Sequence, residues 1–76
     1  MSTLELRFGR VVRELRERHG WSQERLAEIA DLNRSYLGEI ERGRVTPSLS
    51  TIGKLAAALQ VAPSALIGRC ETPTAT

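Results

Sequence analysis

A chain of 76 residues, 41% of them apolar, has material for one domain with one small core, and a domain this short is marginally stable alone, so dimerisation would help it. Its 11 basic and 9 acidic residues leave a net charge of only +2, which makes the placement of charge more informative than its amount about a nucleic-acid partner. A single cysteine, Cys70, and a single histidine, His19, exclude an internal disulfide and a multi-ligand Cys/His metal site, and no stretch approaches the roughly 20 apolar residues of a membrane span or carries a leader-like cleavage site.

Helical periodicity runs through the chain. A first helix is expected from Leu4 to His19, with Phe8, Val12 and Leu15 inward and Arg7, Arg10, Arg13, Glu14, Glu17 and Arg18 outward, ended by Gly20. His19 lies in its last turn, where the helix dipole favours a cation. Trp21 follows as a packing residue beside the next helix, with base stacking the minor alternative. Ser22 caps a second helix that turns Leu26, Ile29 and Ala30 inward and Glu24, Arg25 and Glu28 outward. Asp31 and Leu32 break it, Leu32 plugging the gap, and Asn33 caps a third helix with Leu37 and Ile40 inward.

The opposite face of that third helix collects Arg34, Ser35, Gly38, Glu39 and Arg42, since residues three and four apart are neighbours. An arginine fork bonds guanine O6 and N7 together, a serine both donates and accepts, and a glycine removes bulk where a helix presses into a groove. On pattern alone this is a helix-turn-helix or an anonymous hairpin with a solvated polar face. Gly43 ends the helix, a loop follows from Arg44 to Pro47, and Ser48 caps a fourth helix over Leu49 to Leu59, with Leu49, Ile52, Leu55, Ala56 and Leu59 facing the core. Gly53 within it costs about 1 kcal/mol relative to alanine unless a close approach uses the missing side chain. Pro63 suits the first position of a short fifth helix, in which Leu66 and Ile67, about 100° apart, cannot both be buried in one small monomer. The tail from Arg69 to Thr76 is polar and is expected to be flexible.

Between Arg16 and Leu66, and most closely in LAEIADLNRSYLGEIERG followed by TPSLSTIGKLAAALQV, the chain resembles the Xre-type helix-turn-helix family of phage repressors and Cro proteins. The run Leu32 to Leu37 and the segment Ile40 to Gly43 are similar to controller proteins of restriction-modification systems. The resemblance implies an all-α, compact five-helix lambda-repressor-like DNA-binding domain over residues 1–68, with the helix-turn-helix at 22–43. It implies a salt bridge between Arg16 and Glu41 that locks the first helix to the third. It also implies a loop along the DNA backbone, with Arg44 and Thr46 as phosphate contacts beside Gln23 and Arg42. Base contacts fall to Arg34, Ser35 and Glu39, the last accepting from cytosine N4.

Asp31 and Gln60 stand where the family often has Gly or Asn, which accept positive φ at little cost. Pairing of two copies through Val61, Ala62, Leu66 and Ile67 would set two recognition helices about 34 Å apart on an inverted-repeat operator. Glu24 and Glu28 are either an acidic patch for RNA polymerase or ordinary solvated surface. The expected protein is a cytoplasmic, sequence-specific transcriptional regulator on double-stranded DNA, with no cofactor, no membrane partner and no small-molecule ligand, governed by its own concentration. An antitoxin-type interaction module is the alternative. An enzyme is disfavoured, since the sequence offers no paired catalytic groups, phosphate loop or metal spacing.

Overall fold

The computed structural model describes residues 3–71, and among them every regular element is a helix: α1 (Leu4–Arg18), α2 (Gln23–Ala30), α3 (Arg34–Glu41), α4 (Leu49–Leu59) and α5 (Pro63–Gly68). Four of the five helices begin at a side-chain cap, each of which satisfies an orphan amide of the first turn. Thr3 Oγ1 accepts from Leu6 N at 3.1 Å, Ser22 Oγ from Arg25 N at 3.0 Å and Ser48 Oγ from Thr51 N at 3.2 Å. Asn33 Oδ1 accepts twice, from Ser35 N at 2.8 Å and Tyr36 N at 3.2 Å. Pro63 opens α5 without a side-chain cap.

α2 and α4 end alike. Asp31 (φ 57°) and Gln60 (φ 63°) both take the left-handed conformation, and the chain then turns back, with Leu32 N donating to the Ala27 carbonyl at 2.8 Å and Val61 N to the Ala56 carbonyl at 2.9 Å. Those bonds close the Schellman pattern and offset the cost, on the order of 1 kcal/mol, of a non-glycine residue there. Both departures noted in the sequence are thus accommodated.

Val12, Leu26, Leu37, Leu55 and Leu66, one from each helix, are fully buried and define the core, which Phe8, Val11, Leu15, Ile40 and Leu59 extend. Two inward assignments are corrected. Ile29 is 38% exposed rather than buried, because the buried stripe of α2 is Leu26, Ala27 and Ala30 and Ile29 lies about 110° from its middle at 100° per residue. Leu49 is 86% exposed, since it is the first residue of α4 and burial begins only at Thr51. Gly53 faces open space, so no close approach uses its missing side chain.

The chain's far end is tied down further than its polarity suggests. Cys70, expected in the flexible tail, is buried, and its carbonyl accepts from Arg7 Nε at 2.7 Å, which draws Arg7 inward from its expected outward place. Burial pushes the Cys70 thiol above its ordinary pKa, against a smaller pull from the Arg7 charge. The rest of that tail, 72–76, lies outside the described residues.

Candidate nucleic-acid interface

α3 is seated by contact with α1 closer than side chains permit. A Cβ on Gly9 would lie 2.3 Å from the Ile40 carbonyl oxygen and 2.6 Å from that of Glu41, so only glycine lets the first helix lie against the end of the third. Gly43 (φ 73°) repeats the device just beyond α3, where a Cβ would stand 2.8 Å from Leu6 Cα. Leu37 and Ile40 fill the core beneath.

The bridge implied for Arg16 and Glu41 forms. Arg16 Nε donates to Glu41 Oε2 at 2.7 Å and Nη2 to Oε1 at 3.0 Å, a bidentate pair in which the arginine side chain is 12% exposed and the carboxylate 3%. Gln23 Nε2 adds a third bond to Oε1 at 2.9 Å, and Arg16 Nη1 reaches the Trp21 carbonyl at 2.8 Å. The hydrogen bonds to Glu41 raise the Arg16 pKa further, against desolvation. Every oxygen of the buried carboxylate is thereby occupied, the condition under which a buried charge is tolerated. Trp21 packs partly buried against the core and stacks on His19, ring centroids 4.2 Å apart, as its packing assignment requires.

With its inner side fixed, α3 turns a concave face outward, lined by Arg34, Ser35, Tyr36, Gly38, Glu39 and Arg42 together with Gln23. Arg34 and Ser35 are exposed, and neither side chain has a hydrogen-bond or ion-pair partner among the described residues. Glu39 instead bonds Arg42, and Gln23 has its amide nitrogen committed to Glu41. In the following loop Arg44 is exposed and without a side-chain partner among the described residues, whereas Thr46 Oγ1 donates to Glu5 Oε2 at 3.1 Å.

That bond, after a larger contribution from the residue's own backbone amide, holds the Glu5 carboxyl below its ordinary range. Nothing in the sequence signals Glu5, 41 residues before its partner. Tyr36 was likewise missed; half-buried, it lines the concavity while its hydroxyl stands 3.5 Å from Thr51 Oγ1. Glu24 and Glu28 are both exposed on α2, and Glu28 pairs with Arg25 at 2.7 Å. Among the described residues no three His, Cys, Asp or Glu gather as a metal site and no helix is long and apolar enough to cross a membrane.

Two short helices at a tight turn, the second anchored from behind and presenting an open polar face, constitute a helix-turn-helix DNA-binding domain. A family model described as helix-turn-helix matches residues 12–66. The chain is 42% identical over 76 residues to control protein C.BamHI of Bacillus amyloliquefaciens, covering 92% of this chain and 94% of that protein. It is 45% identical over 60 residues to the immunity repressor of Bacillus phage phi105, with 79% of this chain aligned but only 42% of the repressor's length spanned. Among solved structures, the restriction-modification controller protein C.AhdI from Aeromonas hydrophila matches with a TM-score of 0.78 at 49% identity, over 80% of this chain and 92% of that one. The chain belongs to the Xre/Cro-like helix-turn-helix family of DNA-binding transcriptional regulators.

Proposed function

We propose that the chain acts in the cytoplasm as a homodimer on an inverted-repeat operator and sets its own expression through its concentration, a reading its similarity to proteins named as restriction-modification controllers supports. The observation that carries the reading is that the exposed Arg34 and Ser35 side chains have no partner among the described residues, at the start of α3, the part of a recognition helix that meets base edges. Around it, Arg44 and the first amides of α2 supply phosphate contacts that fix register without carrying sequence information, joined by Gln23 through its second amide hydrogen and by Thr46 once its hydroxyl turns from Glu5.

Two copies meet through α5 and the turn before it. Leu66 is fully buried in its own core and drops out of the interface expected for it, which leaves Ile67, 37% exposed, beside Val61 and Ala62. Fully burying a branched aliphatic side chain is worth roughly 1.5 to 3 kcal/mol, of which the 37% still exposed on Ile67 leaves about 0.5 to 1, counted twice by a two-fold axis. Glu24 and Glu28, both exposed on α2, with Glu28 also bonding Arg25, are either an acidic patch for RNA polymerase or ordinary solvated surface.

The test pairs two variants. Arg34→Ala lowers specific binding by about 1 to 3 kcal/mol and relaxes preference at one base pair per half-site. Ile67→Asp yields a folded monomer by sedimentation that loses the full operator far more than a single half-site. Unchanged discrimination in the first overturns the base-reading role of Arg34, and a folded dimer in the second moves the interface elsewhere.

A further inference from the structure

We propose that Arg42 reads a base edge, a guanine in the major groove, and that Glu39 is the positioning residue that aims it; the assignment rests on the operator-binding reading above. Arg42 is the cap residue closing α3, from which an extended side chain would run on beyond the end of the helix. Its guanidinium turns back over the helix instead. Nη2 donates to Glu39 Oε2, three residues earlier, and Nη1 lies 3.4 Å from where a Cβ on Gly38 would stand. Helical side chains favour that direction, toward the N-terminus. The charge is thereby carried from the end of α3 to its middle, onto the concave face shared with Arg34, Ser35 and Gln23.

The roles expected from the sequence, Glu39 accepting from a cytosine and Arg42 holding a phosphate, match this arrangement less well. A lone carboxylate facing DNA would be repelled by the phosphates, whereas here it carries its own cation into the groove. A guanidinium has five N–H donors, and the bond to Glu39 uses one of them, leaving enough for the two acceptors O6 and N7 of guanine. An arginine oriented before binding also loses less side-chain freedom when it binds. Gly38 lies beneath the folded guanidinium, and an alanine methyl there would meet it at 3.4 Å, in ordinary van der Waals contact. The Arg42 and Glu39 side chains are 52% and 37% exposed, so their pairing contributes little to fold stability, and its consequence falls on binding.

The test is selection of bound sequences from a randomised duplex library by the full chain and by Arg42→Ala, Arg42→Lys, Glu39→Ala and the double alanine variant, with thermal melts expected to be unchanged. The wild type enriches an inverted repeat with a G·C pair in each half-site at which Arg42→Ala loses discrimination on the order of tenfold or more. Arg42→Lys, which keeps the charge but not the fork, loses it too. Glu39→Ala relaxes the same pair, and the double variant is no worse than Arg42→Ala. If Glu39→Ala relaxes a different pair, Glu39 touches a base itself and the assignment is overturned. Equal weakening of all sequences by Arg42→Ala, with a shallower salt dependence, overturns it as well by returning Arg42 to the phosphates. A wild type that enriches no sequence brings down the operator reading, and this assignment with it.

Discussion

Glu39 and Glu41 stand two residues apart on one short helix, and each bonds an arginine. Glu41 is 3% exposed and held by three hydrogen bonds from Arg16 and Gln23, while Glu39 is 37% exposed and, among the described residues, bonds Arg42 alone, at the end of its own helix. The first pair joins segments 25 residues apart and sets where α3 lies; the second joins neighbours and leaves the backbone indifferent to it. Identical charge chemistry therefore serves the fold on one side of α3 and the ligand on the other. Burial, rather than the ion pair itself, decides which.

The strongest challenge to that division is Arg16→Met, which strips the buried carboxylate of its cation and the Trp21 carbonyl of its donor. It is expected to cost about 3 to 5 kcal/mol in urea unfolding, against a total of roughly 5 to 15 for a domain of ordinary stability. Adding Glu41→Leu should restore much of the loss, since two apolar residues in place of a buried pair are often tolerated. Next comes Gly9→Ala, also on the inner side, where the added carbon meets backbone oxygens that cannot yield. A loss of about 2 to 3 kcal/mol is expected, with a lower melting temperature.

Much of this was legible from the chain. Ser22, Asn33 and Ser48 mark helix starts because a cap acts within three residues of itself, and Pro63 marks one by its fixed φ at the first helical position, so each signal is local. The outward set on α3 followed from helical spacing alone. The failures are of more than one kind. Leu49 has the right spacing from Ile52, Ala56 and Leu59, yet periodicity gives a face and says nothing about how far along the helix its neighbours reach. The Glu5–Thr46 and Arg7–Cys70 bonds join residues 41 and 63 apart, and no local pattern encodes them. For Arg16 and Glu41 the family resemblance supplied what spacing could not.

Gly38→Ala sharpens the comparison by moving fold and ligand in opposite directions. The atoms nearest the new carbon belong to the Arg42 guanidinium, at 3.4 to 3.7 Å and so in ordinary contact; the variant should gain up to about 1 kcal/mol of stability from helix propensity, while its added bulk against the groove lowers operator affinity. Equal or better DNA binding would remove the case that this glycine is there for the groove. Smallest in stability is Arg44→Ala, expected within about 0.5 kcal/mol of the parent. Its mark is electrostatic: specific and non-specific binding weaken alike, and the log-log salt dependence becomes shallower by about one unit. Selective tolerance of one operator base would instead make Arg44 a reader of sequence.

The Arg16 guanidinium touches three stretches at once, since it sits on α1, holds the carbonyl of Trp21 before α2, and grips Glu41 at the end of α3. The segment 22–43 is therefore not a transplantable cassette. Excised as a peptide or moved onto another scaffold, it would carry a carboxylate designed for burial without the arginine that neutralises it, and without the glycine seat at position 9. Exchange of DNA preference between relatives should accordingly succeed when the outward side chains of α3 are swapped singly onto an intact body, and fail when the motif is grafted whole.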